Sequence, residues 1–211
     1  AEQVAADGDS CNVNALSYSG TTFSMAGKVG PARRFNGSSD YISTGVASLP
    51  QTTAARTVDF WYMPATVDAT NRYAYVYGTN AGNQYFAIGQ NSTNGWVFHN
   101  GTTQQNSGTV PTANTWYHVS TKYDGTYVTM RVNGTQVMNV NVGALATTNA
   151  NSNIGRHFAG SNYADGLIDA VRISNVSRSD ADLDAVYNIG KRTHTITIDW
   201  TTYPYPSSSI T

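Results

Sequence analysis

The chain has 211 residues, 40% of them apolar, and a formal net charge of −1. That length suits a single sandwich domain with a sizeable core, and the near-neutral balance without a basic run argues against nucleic acid or an anionic membrane as partner. Only 12% of residues are charged, about half the usual share, and the scarcity of Glu and Lys beside abundant Thr and Tyr reads as all-β.

Residues 1–24 are polar and weakly patterned, with a loop-like Asp7-Gly-Asp-Ser-Cys-Asn12. The chain starts at Ala1 without Met, which fits a processed or truncated product. Cys11 is the only cysteine, so no intrachain disulfide forms; it reads as a small buried or partly exposed thiol, or as half of an intermolecular bridge. Ala32–Ile42 reads as strand, Asn36-Gly37 turn and strand. Thr57–Met63 alternates Val58, Phe60 and Tyr62 against Thr57, Asp59, Trp61 and Met63, and apolar groups on both faces fit a central strand. Arg72–Tyr77 and Gln84–Ile88 read as a strand pair, followed by a strand at Gly95–His99 and a Thr/Gln-rich loop to Gly108. Trp116–Lys122 and Tyr127–Val132 form a hairpin, and Asn133-Gly134 turns into a second one ending at Val142. Trp61, Trp96 and Trp116 are read as core.

Tyr163–Ile173 is a run of β-formers behind Gly160 and Gly166. Strict alternation places Leu167, Asp169, Val171 and Ile173 on one face, so Asp169 is a carboxylate in an apolar row. Burial then demands backbone N–H donors, an arginine or a metal ion around it. Ser177–Tyr187 reads as a short helix capped by Ser or Asp. Beyond Gly190, Thr193–Thr201 alternates cleanly, with Ile196, Ile198 and Trp200 on one face. The division is a domain over 1–190 and a strand-like tail over 191–211. No apolar run approaches the roughly 18 residues of a membrane-spanning helix.

The Tyr163–Ile173 block resembles the C-terminal signature of bacterial and viral laminin-G-like domains of the concanavalin A-like lectin/glucanase superfamily. Ala32–Ile42, Arg56–Pro64 and Thr115–Gly134 resemble the same family in the same order, and the resemblance covers roughly residues 25–188. It implies an all-β, two-sheet antiparallel jelly-roll sandwich, here with an extra C-terminal strand. It also implies a Ca²⁺ site formed by Asp169 and the carbonyl of Gly37, with Asp7 or Asp9 nearby; Ca²⁺ takes six to eight oxygen ligands. The alternative is that Asp169 caps backbone N–H groups or pairs with Arg172 or Arg156.

Glycosidases of that superfamily carry closely spaced carboxylates on one strand, and with Glu2 as the only glutamate their Glu-x-Asp-x-x-Glu motif is not buildable here. His99, His118, His157 and His194 lack metal-ligand spacing and read as surface or strand-packing residues. Asn36, Asn91, Asn100, Asn133 and Asn175 match glycosylation acceptors, and several read equally as turns. Sugar rings stack on aromatic faces, and Tyr73, Tyr75, Tyr77, Tyr85, Trp96 and Tyr163 lie on or near candidate loops and edges. The polar-aromatic loop from His157 through Asn162 to Tyr163 completes that candidate site. The expected function is a non-catalytic module on a cell or virion surface that binds glycan or a protein partner. The alternative is a structural subunit of a virion or filament, with Ile196, Ile198 and Trp200 of the tail completing a neighbour's sandwich or its own.

Overall fold

The computed structural model describes residues 17–24, 27–44 and 48–191. In chain order its strands are β1 (Ser17–Ser19), β2 (Thr22–Ser24), β3 (Ala32–Asn36), β4 (Tyr41–Ser43), β5 (Arg56–Pro64), β6 (Arg72–Gly78) and β7 (Tyr85–Asn91). They continue as β8 (Gly95–His99), β9 (Gln104–Asn106), β10 (Tyr117–Tyr123), β11 (Tyr127–Val132), β12 (Thr135–Asn141), β13 (Asn151–Ile154) and β14 (Asp165–Ser174). A 3-10 turn at Phe158–Gly160 and one helix, α1 (Asp180–Lys191), complete the described elements. The first sheet runs β1-β4-β13-β6-β7-β8-β9 and the second β12-β11-β10-β5-β14-β3-β2, with every ladder antiparallel. This is the expected two-sheet sandwich.

The two sheets enclose one apolar layer, in which Phe60, Tyr62, Phe86, Ile88, Trp96, Phe98 and Val119 are completely buried. Each such side chain contributes about 1.5–3 kcal/mol through removal from water. The hairpins fall where Asn and Gly are placed. Asn133 (φ 50°) and Gly134 (φ 80°) adopt the left-handed region between β11 and β12, which these two residue types tolerate best. Asn36, Asn91 and Asn100 each accept backbone N–H groups two and three residues ahead, so these three glycosylation matches are turn residues.

Three expectations are corrected. In β14 the register shifts between Asp169 and Arg172, and Ala170 has φ 50°. An extra residue in a strand reverses the facing of everything after it. Ile168 and Val171 therefore share the core, with Ile173 packed against it, while Asp169 lies on the opposite face and not within that row. Trp116 precedes β10 and is only half-buried, because it stands outside both ladders. Residues 17–24, read as weakly patterned, supply β1 and β2, one edge strand of each sheet; three-residue strands are too short to alternate visibly.

The helix begins three residues later than its sequence signal. Ser179 caps it: Asp182 N–H donates to Ser179 Oγ (3.1 Å), and Ser179 N–H donates back to Asp182 Oδ2 (3.3 Å). Helix α1 then covers the outer face of the second sheet, where Tyr187 stacks on Trp61 (5.8 Å) and on His118 (6.0 Å).

Candidate functional site

Strand β6 carries a bulge between Tyr73 and Tyr75. Alternation alone would aim Tyr73, Tyr75 and Tyr77 the same way, but the extra residue separates them. Tyr75 and Tyr77 point between the sheets and are fully buried. The hydroxyl of Tyr75 meets Ser152 Oγ (2.9 Å), and that of Tyr77 donates to the Pro50 carbonyl (2.9 Å). They are core residues and are corrected as ligand contacts; Trp96, with no exposed surface, is core as expected. Tyr73 instead joins Val76, Tyr85, Ala87, Val97 and Phe158 in a second cluster on the other side of the first sheet.

The β7–β8 register pairs Ala87 with His99, which sets His99 beside Tyr85 on that outer face. His99 Nδ1 lies 3.1 Å from the Tyr73 hydroxyl and 2.8 Å from the Tyr85 hydroxyl. The His157 ring closes over the group, 5.0 Å from Tyr73, 5.1 Å from Tyr85 and 5.0 Å from Phe158 between ring centres. Its Nε2 has no hydrogen-bond partner among the described residues. An amide chain extends the cluster. Asn71 Nδ2 donates to Gln104 Oε1 (2.7 Å) and to Tyr73 Oη (3.3 Å), and Gln104 Nε2 donates to Asn106 Oδ1 (2.8 Å).

The 157–163 loop is pinned by its backbone. Tyr73 N–H donates to the Asn162 carbonyl (3.2 Å), Asn162 Nδ2 donates to the Asn71 carbonyl (2.9 Å), and Tyr73 and Tyr163 form a parallel bridge. Asn162 stands at φ 54°, a conformation Asn tolerates. The structure therefore brings Tyr73, His157, Asn162 and Tyr163 together. His99, Asn71 and Gln104 are the members that sequence reasoning did not select; the signal, alternation of Val97 with His99 opposite Ala87 and Tyr85, becomes readable only once the strand register is known.

Burial holds the His157 imidazole down at about 4, helped by neighbouring His99. Burial also lowers His99 and raises the Tyr85 phenol to about 12. At neutral pH the cluster is thus uncharged: two phenols, two neutral imidazoles and a chain of amides. Such groups both donate and accept hydrogen bonds.

The other expected site does not gather in the same way. Asp169, 1% exposed, accepts on Oδ2 the backbone N–H groups of Lys28 (2.7 Å) and Val29 (2.8 Å). Those are donors, not the oxygen ligands a calcium ion requires. Gly37 is no neighbour of Asp169: it lies against Asp165, and its carbonyl faces Arg72 Nη1 (3.5 Å). Arg172 turns to Asp59 instead (3.0 Å). Asp7 and Asp9 lie outside the described residues, as do Ile196, Ile198 and Trp200. Among the described residues no group of three or more His, Cys, Asp or Glu side chains is arranged to hold a metal. A groove of about 310 Å³ on the second sheet is lined by Lys122, Asp124, Tyr127, Thr129, Asn139 and Ser177. Its charges are already engaged, Lys122 with Asp180 (2.5 Å) and Asp124 with the Thr126 and Tyr127 amides.

A laminin-G family profile described as the concanavalin A-like lectin/glucanases superfamily matches residues 36–184. No sequence match is found among curated proteins. Among solved structures, the chain is similar to domain 4 of AbnA, a GH43 extracellular arabinanase from Geobacillus stearothermophilus in complex with arabinotriose. The TM-score is 0.68 at 16% identity, over 82% of this chain and 87% of that one. It is also similar to the binding domain of botulinum neurotoxin serotype G, with a TM-score of 0.66 at 10% identity over 86% of this chain and 47% of that one. A third is botulinum neurotoxin type C, whose cell entry is dependent upon interaction with two ganglioside molecules, with a TM-score of 0.62 at 15% identity over 85% and 47%. The chain spans about half the length of the two toxin chains, 47% of each. At such identities the likeness is one of fold.

Proposed function

The chain belongs to the concanavalin A-like lectin/glucanases superfamily, and on that premise we propose that it is a non-catalytic glycan-binding module acting outside the cell. The observation that carries this reading is the phenol–imidazole–amide cluster of Tyr73, Tyr85, His99, His157, Asn71 and Gln104 on the outer face of the first sheet. Sugar hydroxyls both donate and accept, and this cluster offers both functions on one rigid ladder. Similar folds in the arabinanase domain and the neurotoxin, with arabinotriose and gangliosides as their partners, add support. The same face supports a reading of binding without bond cleavage. Glycoside hydrolysis uses a pair of carboxyl groups, and the seven strands of the first sheet contain no Asp or Glu.

A glycan array, followed by calorimetry on the hits, tests the reading. Gln104→Ala should weaken binding by about tenfold, the effect of roughly 1.4 kcal/mol for a lost hydrogen bond. Tyr163→Ala should also weaken binding while changing stability by less than about 1 kcal/mol, because the Tyr73–Tyr163 link is made by backbone. An array without hits would sink the proposal.

A further inference from the structure

Charge is distributed very unevenly along this chain. No Asp, Glu, Lys or Arg occurs from Tyr73 to Thr121, from Val132 to Gly155, or from His157 to Tyr163. The fold places most of these stretches in the first sheet. The first supplies β7, β8, β9 and nearly all of β6, the second supplies β13, and the third is the loop pinned to β6; the remainder, Tyr117–Thr121 of β10 and all of β12, lies in the second sheet. Among the described residues, Arg72 is the only charged one in the strands of the first sheet. Its guanidinium is turned to the Asp68 carboxylate (2.7 Å) and the Tyr163 carbonyl (3.2 Å), at the end of the strand. The second sheet is the opposite case, with charges on β3, β5, β10, β11 and β14.

We propose that the outer face of the first sheet selects uncharged oligosaccharides and rejects glycans that carry carboxylate, sulfate or phosphate groups. The inference rests on the glycan-binding reading and deepens it. An anionic group that docks on the Tyr73–Tyr85–His99 cluster gives up hydration, and the two described guanidinium groups next to it in the chain are already engaged, Arg72 with Asp68 (2.7 Å) and Arg156 over the Tyr41 ring (3.3 Å). The imidazoles do not substitute for one, since both are neutral at pH 7. Cationic sugars fare no better, because the described strands of this sheet carry no carboxylate and Asp68, just before β6, is paired with Arg72 (2.7 Å). A neutral sugar loses only hydroxyl hydration, which the amides, phenols and imidazoles replace group for group.

The test is calorimetry with matched pairs that differ by an acid: lactose against 3′-sialyllactose, and galactotriose against trigalacturonate, with arabinotriose and an array of neutral oligosaccharides beside them. The expected result is a neutral ligand whose Kd changes by less than about twofold between about 20 mM and about 500 mM NaCl. Its acid-bearing counterpart should bind at least about tenfold more weakly. Gln104→Ala should weaken the neutral ligand. Preferred binding of an acidic glycan, with affinity falling as salt rises, overturns this inference while leaving glycan binding intact. Neutral binding that is indifferent to both Gln104→Ala and Tyr163→Ala lies elsewhere on the chain and overturns the assignment to this face. Absence of binding by either class removes the proposed function together with the inference.

Discussion

Asp169 is enclosed, and its Oδ2 holds the amides of Lys28 and Val29 in the loop before β3. Asp169→Ala leaves two part-buried N–H groups without this acceptor. Urea unfolding should show a loss of about 3 kcal/mol, since hydrogen bonds to a charged acceptor contribute more than neutral ones; Asp169→Asn, which keeps an acceptor oxygen, should lose less. An unchanged midpoint for Asp169→Ala would show that the loop is held by other contacts. His157 makes a second prediction at this scale. Its folded imidazole titrates at about 4, whereas an unfolded chain returns it to about 6.5. As pH falls, the unfolded state therefore takes the proton first. The stability contribution is complete above about 6.5 and is lost progressively as pH falls through about 4. The melting temperature of the wild type should drop across that window more steeply than that of His157→Gln. Parallel curves would mean that the ring is not buried as described.

At the scale of elements, two bulges decide which face of its sheet each side chain takes. The one in β6 sends Tyr75 and Tyr77 inward and leaves Tyr73 outside; the one in β14 separates Asp169 from Val171. Helix α1 is fixed at several points besides the Tyr187 stack and the Lys122–Asp180 pair. Ser179 caps its start, Arg131 reaches Asp180 (2.6 Å) and Asp184 (2.7 Å), and Gly190 lies on Trp61. A Cβ at Gly190 would stand 2.5 Å from Trp61 Cζ2. Two effects oppose each other in Gly190→Ala. Helix propensity favours alanine by about 1 kcal/mol, while overpacking against a buried ring costs about 1–3 kcal/mol. The contact is far too short for small adjustments, so the variant should be destabilised by about 1 kcal/mol or more, with a shift in Trp fluorescence as the helix lifts. A stabilised variant would show that the helix end gives way freely.

For the whole molecule, stability resides between the sheets and recognition is assigned to an outer face. Phe86 and Phe98 meet edge to face at 4.8 Å in the middle of that layer. Phe98→Ala should cost about 3–5 kcal/mol and lower the transition as one cooperative step. Two separated transitions would show that the sheets unfold independently. Such a variant also alters the floor beneath His99, its neighbour on β8, so its effect on ligand affinity should follow its effect on stability. Charge is divided between the sheets, and with it the chemistry each outer face can offer.

Much of this was legible in the chain. Strands β5, β10, β11 and β12 and the turns between the last three follow from alternation and from Asn-Gly or Asp-Gly placement, because local backbone sterics act within a few residues. The uncharged run from Tyr73 to Thr121 is likewise a property of the chain alone. What only the tertiary structure decided is which way the side chains face and which strands are neighbours. A bulge is one residue of register with no compositional mark, so Tyr75 and Tyr77 look the same as Tyr73 until β7 is paired beside them. His99 meets Tyr73 and Tyr85 through a ladder, and Asp169 meets Lys28 and Val29 across about 140 residues of chain, 141 and 140 respectively. Such contacts depend on packing two sheets at once, and no local pattern encodes a partner that distant.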